Sequence, residues 1–160
     1  MAGRYASTTE VTSAKSRSDI EAELERYGAT AFAYGWDGTS ATLVFEAEHR
    51  RFLLRIPLPD PKSDEYTRSR HANSWQRYEL TPEAARQRYE QAVRQRWRAV
   101  LLIIKAKLEA VASGITTLED EFYANILMPD GRTVSDHTRA AIGQAYETNE
   151  LPALMPGSSS

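Results

Sequence analysis

The chain has 160 residues, 41% hydrophobic and 26% charged, with a formal net charge of -2: enough for one domain with a real core, and too nearly neutral to attract a partner from a distance. Cysteine is absent, which excludes disulfides, thiol catalysis, Cys-liganded zinc and iron–sulfur clusters and fits a reducing compartment. The longest apolar run, 99–104, is too short to cross a bilayer and the first residues lack a secretory h-region, so the expectation is a cytoplasmic protein without membrane contact.

Residues 1–17 are rich in Ser and Thr and read as a flexible arm. Ser18-Asp19-Ile20-Glu21 has the form of a capping box, and Ile20, Leu24 and Tyr27 share one helical face before Gly28. A short helix over roughly 19–27 is predicted, opening a single domain that runs to 148. Period two follows. Asp37-Gly38 reads as a two-residue hairpin turn that sets Tyr34 opposite Ala41 and Phe32 opposite Leu43. Glu48-His49 is a second turn that sets Phe45 opposite Phe52 and Leu43 opposite Leu54. Together the turns gather Phe32, Tyr34, Trp36, Ala41, Leu43, Phe45, Phe52, Leu54 and Ile56 on one face of a three-stranded antiparallel meander. The other face, with Thr42, Val44, Glu46, Arg51, Leu53 and Arg55, is mixed.

Pro57, Pro59 and Pro61 end the third strand, and 58–81 reads as a long polar loop, a kind that is commonly functional or disordered. Thr81-Pro82 starts the main helix, which runs to about Ser113. Val93, Trp97, Val100, Ile104, Leu108 and Val111 stripe its core face, and the all-round apolar stretch 99–104 predicts deep burial there. Thr116 or Thr117 caps a further helix to about Asn125, Pro129-Asp130-Gly131 turns, and a last helix covers about 135–147. Residues 149–160 read as a tail. The fold class expected is α+β: a meander packed on one long helix, with short helices around it.

The charges form blocks. Residues 81–114 carry seven Lys/Arg against three Asp/Glu, and residues 115–160 carry two against seven, so a basic middle and an acidic end face each other within one chain or between copies, or form separate surfaces. Arg94, Arg98 and Lys105 fall within about 40° around the helix axis. In the loop, Arg68, Arg70, His71, Trp75, Arg77 and Tyr78 interleave cations with aromatic rings. Single-strand binders need cations to follow phosphates and rings to stack on bases. The opposing interpretation is a solvated helix face and a loop whose Trp75 docks on the core. Catalytic patterns are weak: the three histidines lack metal-ligand spacing, Glu119-Asp120-Glu121 suit a helix start, and neither a Gly-rich phosphate loop nor a nucleophile elbow is present. Neither a catalytic set, a metal nor a cofactor is therefore expected.

Residues 94–134, with YGATAFAYGWD at 27–37 and LPALMPG at 151–157, resemble a family of small uncharacterised proteins of tailed phages and prophages. The resemblance covers most of the chain from about residue 18 and implies a phage or mobile-element setting, without assigning an activity. The order of short helix, meander and long helix is also similar in architecture to single-strand annealing proteins, whose rings hold a basic groove between sheet and helix. The leading expectation is a non-enzymatic, oligomeric single-stranded nucleic-acid binder. Arg51, Arg55, Arg68, Arg70, Arg77, Arg94, Arg98 and Lys105 would contact phosphates, and Trp75 and Tyr78 would stack. The alternatives are an inhibitor of a host defence protein that uses the acidic C-terminal third, and a protein that sequesters a small anionic nucleotide.

Overall fold

The computed structural model describes residues 2–70, 75 and 77–152, with side chains from Ser13 onward except that of Arg70. Its elements are α1 (Ala2–Arg26), β1 (Ala31–Trp36), β2 (Ser40–Ala47), β3 (Arg50–Pro57), α2 (Asp64–Thr67), β4 (Arg68–Arg70), β5 (Arg77–Glu79), α3 (Pro82–Ala112), α4 (Leu118–Glu121), a 3-10 turn (Tyr123–Asn125) and α5 (Val134–Thr148). The class is α+β. An antiparallel sheet in the order β1-β2-β3 is covered on one face by α1 and α3. The two helices run in the same direction. Glu23 pairs with Lys105 and, four residues further along α1, Tyr27 donates to Glu109, four residues further along α3.

Alternation in the strands produces the buried layer. Ala41, Leu43, Phe45, Phe52 and Ile56 are buried, while Phe32, Tyr34 and Leu54 pack at its margin. Trp36, expected with them, is 37% exposed at the strand end. Trp97 of α3 lies fully buried against Tyr34, ring centroids 5.5 Å apart. Phe122 closes the other end of the layer, within 5.3 Å of Phe45 and 5.8 Å of Phe52. The Thr81 side chain accepts from the Ala84 amide with Pro82 in the first turn, so α3 begins where the sequence places it.

The β2–β3 register matches the expected one, with Phe45 opposite Phe52 and Leu43 opposite Leu54. Glu48 and His49 both hold positive φ, 50° and 61°, as a type I′ turn requires. The β1–β2 register differs by two residues: Tyr34 faces Leu43 and Phe32 faces Phe45. The cause is Asp37. Its carboxylate accepts from the amides of Thr39 and Ser40, 2.9 and 2.7 Å away, and organises a four-residue connection instead of a two-residue turn. Because side chains alternate with period two, a slip of two leaves every residue on its expected face.

Four expectations are corrected. Residues 2–17, read as an arm, belong to α1, and Ser18-Asp19-Ile20-Glu21 lies within that helix instead of capping it. The apolar face of 20, 24 and 27 continues upstream through residues that hydropathy does not flag. Ser13 is fully buried, and the Arg17 guanidinium lies 4.2 Å from the centre of the Tyr34 ring. The 58–81 loop contains α2 and the β4–β5 hairpin, which pairs Arg68 with Glu79 and Ser69 with Tyr78. The helix expected up to Asn125 stops at Glu121 and gives way to the 3-10 turn. The stretch 99–104 is not buried all round: Leu102 and Ile103 are 61% and 54% exposed. The sheet and α1 cover only one side of α3, and the opposite side has no partner among the described residues to hide them. His71 and residues 153–160 lie outside the described residues.

Candidate anion-binding cleft

The expected phosphate contacts divide by what surrounds each cation. On the sheet, Arg51 pairs with Glu46 at 3.3 Å and Arg55 with Asp136 at 3.0 Å. On the hairpin, Arg68 and Arg77 share Asp64, at 3.6 and 3.5 Å. Lys105 of α3 pairs with Glu23 of α1 at 3.0 Å. Each of these charges already has an opposite charge beside it. The backbone of Arg70 pairs with that of Arg77 in the hairpin.

Arg94 and Arg98 differ. Both are exposed, and neither forms an ion pair among the described residues. They line a cleft of about 400 Å³ between α1 and α3, together with Lys15, Ser16, Gln91 and Gln95. Gln91, Arg94, Gln95 and Arg98 recur at helical spacing, and the parallel run of α1 brings Lys15 and Ser16 to the same place. Among the described residues its wall holds three cations, two amides and one hydroxyl and no carboxylate. Such a cleft can surround an anion with charge-assisted donors, the arrangement that phosphate recognition uses. The sequence picked out Arg94 and Arg98. It missed Lys15, Ser16 and the two glutamines, whose relevance depends on how the two helices pack.

The β4–β5 hairpin stands beside the N-terminal half of α3. Arg88 fastens it there, donating to the Arg68 carbonyl at 3.2 Å and to the Ser69 hydroxyl at 3.1 Å. Tyr66 of α2 packs edge-on to the buried Tyr89 ring. Trp75 and Tyr78 are 90% and 41% exposed, so Trp75 is not docked on the core. A second cleft, about 390 Å³, lies between the hairpin and α3, but Asp64 and Glu65 line it along with Arg68, Arg77 and Arg88. Two of its three cations already share Asp64, and it is the poorer anion site.

Four of the seven acids at the end of the chain are engaged within one molecule, and one of them, Glu121, by the basic middle. Glu119 binds Arg50 at 2.7 Å, and Glu121 binds Lys107 at 3.0 Å. Asp136 carries the heaviest load: it accepts from the Thr133 amide in the α5 capping box and from Arg55, and both hold its carboxyl well below the ordinary carboxylate range. Asp130 accepts from the Arg132 amide and pairs with His137 at 2.8 Å. Among the described residues no group of three His, Asp or Glu side chains is placed to hold a metal ion, and no helix is long and apolar enough to cross a membrane.

Fold and site together define a two-layer α+β protein with a cationic cleft between two parallel helices, lined among the described residues without a carboxylate. No protein-family model, curated protein or solved structure matches the chain.

Proposed function

We propose that this protein binds single-stranded nucleic acid without catalysing a reaction, with the α1–α3 cleft as its phosphate contact. The observation that carries this reading is the convergence of Lys15, Arg94 and Arg98 on one cleft, with no acid beside them among the described residues. Exposed rings supply the second requirement of a single-strand binder. Trp75 and Tyr78 stand on a hairpin that Arg88 ties to α3, and Arg88 lies ten residues from Arg98, about 15 Å along the helix axis. A strand crossing the outer face of α3 would meet rings at one end and the cleft at the other. The role of Arg51, Arg55, Arg68, Arg77 and Lys105 is then mainly structural, since binding through them would first displace a carboxylate. The resemblance to phage proteins supports action on phage DNA in the host cytoplasm, with annealing by an oligomer as the specific form.

A second reading is favoured by the size of the cleft. About 400 Å³ lies within the range of small-molecule sites, so a phosphorylated nucleotide would also fit. Competition separates the two. A labelled 20-mer single strand is bound at low salt and challenged with unlabelled oligonucleotide or mononucleotide. Extended binding predicts that the oligonucleotide displaces the probe while a mononucleotide at equal phosphate concentration does not. Arg94→Ala/Arg98→Ala should weaken binding about tenfold or more, the loss of charge-assisted contacts. Displacement by the mononucleotide at equal phosphate would support the sequestering reading instead. An inhibitor that presents free acids to a host protein has less support, because Glu119, Glu121, Asp130 and Asp136 are engaged within the chain.

A further inference from the structure

Among the described residues, the outer side of α3 and the outer side of α5 are unpartnered apolar surfaces that complement each other. On α3, Leu102 and Ile103 form an exposed ridge, 61% and 54% accessible, with the exposed small residues Ala99 and Ala106 on either side. On α5 and the 3-10 turn, a groove of about 540 Å³ is walled by Tyr123, Ala124, Val134, Thr138 and Ile142. A large exposed apolar patch on a small protein usually marks an interaction surface.

The charges at the ends of the two surfaces decide the occupant. Read from N to C along α3, the order is Arg96 and Arg98, the ridge, then Glu109. Read from C to N along α5, it is Glu150, two residues past the helix end, then Ile142 and Arg139, while Glu147 lies about 140° from Ile142 and faces away. Arg98, Leu102 and Glu109 lie within about 40° around the α3 axis, and Arg139, Ile142 and Tyr146 within about 60° around that of α5. Arg96, Arg98, Arg139, Glu147 and Glu150 form no ion pair among the described residues, and Glu109 is exposed, with one oxygen accepting from Tyr27. Laid antiparallel, the two surfaces put Arg96 and Arg98 near Glu150 at one end, Glu109 on Arg139 at the other, and apolar side chains between. A parallel arrangement would set like charges together at both ends.

We propose that the α5 groove receives the Leu102/Ile103 ridge of a second copy of this chain, head to tail and antiparallel. Such an interface is heterologous: each copy offers a ridge to one neighbour and a groove to another, so the assembly grows into a ring or a filament.

Light scattering coupled to size exclusion at about 100 μM, where a micromolar interface is saturated, tests this without nucleic acid. The wild type should run as an assembly larger than the 18.0 kDa monomer. Leu102→Glu/Ile103→Glu spoils only the ridge and Ile142→Glu only the groove, so each alone should run as a monomer. Mixed, the two should form a dimer and stop there, since each pair keeps one intact ridge and one intact groove. Arg139→Glu should weaken assembly, and adding Glu109→Arg should restore it. All these positions are exposed, and thermal melts will show whether each variant is folded. A monomeric wild type, an Ile142→Glu variant that still assembles, or a mixture of folded variants that stays monomeric overturns the proposal. Leu102, Ile103 and Ile142 do not line the cationic cleft, and Arg98, which stands on both surfaces, is left unchanged in these variants, so loss of assembly is read apart from loss of nucleic-acid binding.

Discussion

Replacing Phe122 by Ala should destabilise the protein severely, because this one ring joins the segment after α3 to the sheet. It is fully buried, 5.3 Å from Phe45 and 5.8 Å from Phe52, and the Lys107 ammonium lies 5.3 Å from its centre. Truncating a buried Phe to Ala costs about 3–5 kcal/mol, the lost transfer energy plus the cavity left behind. An unfolding entropy near 2.1 cal/mol/K per residue amounts to about 0.34 kcal/mol/K for 160 residues, so the melting temperature should fall by about 9–15 °C. The neighbouring Tyr123 is 52% exposed, and Tyr123→Ala should stay within about 0.5 kcal/mol, a shift of about 1–2 °C. Calorimetry or circular dichroism melts of the pair measure the contrast. Equal, small shifts would refute the packing of residues 118–126 on the sheet, and with it the placement of α5 and its groove.

Three further outcomes are expected. The Asp37 carboxyl is lowered to about 2, chiefly by the Ser40 and then the Thr39 amide, from an ordinary 3.8. Its contribution is therefore present above pH 3.8 and is lost as pH falls through about 2. Asp37→Asn should show a smaller loss of thermal stability between pH 5 and pH 2 than the wild type, and an equal loss would remove Asp37 as the organiser of that turn. Thr133 caps α5 and is buried, so Thr133→Ala should cost about 1 kcal/mol in denaturant unfolding, whereas a neutral result would contradict the capping box. Gly114 holds φ at +71° after α3, so Gly114→Ala should cost about 1 kcal/mol in the same assay, and an unchanged midpoint would mean that the α3 terminus is not held in that conformation.

Much of the fold was legible because period and turn chemistry agree. The alternation from Phe32 to Ile56 assigns the buried face, and Glu48-His49 sets the β2–β3 register. The Asp37-Gly38 pair misled by two residues, since an Asp carboxylate can take up amide donors and stretch a hairpin loop as readily as it can close a tight turn. The stripe from Val93 to Leu108 identified the core side of α3 but not how much of the opposite side stays bare. Apolar composition cannot tell a helix buried all round from one covered on one side only, and Leu102 and Ile103 fall on the uncovered side. The part of α1 around 13–17 escaped notice because Ser13 and Arg17 pack by fit and by ring contact, not by hydropathy. The cleft was half legible. Arg94 and Arg98 declare themselves by charge and spacing, but which cations find an acid is set by tertiary contacts such as Lys105 with Glu23, about half the chain apart in sequence.

The central claim is that phosphate is bound by the three cations of the α1–α3 cleft, which form no ion pair among the described residues. Fluorescence anisotropy of a labelled single-stranded oligonucleotide, titrated from about 50 to 200 mM salt, tests it most directly. Each phosphate neutralised on a single strand contributes about -0.7 to the slope of log affinity against log salt. Lys15, Arg94 and Arg98 together should produce a slope of about -2, and Arg94→Ala/Arg98→Ala should reduce it to about -0.7 while weakening binding at every salt concentration. Binding that ignores salt, or a slope that the double substitution leaves unchanged, would contradict the account.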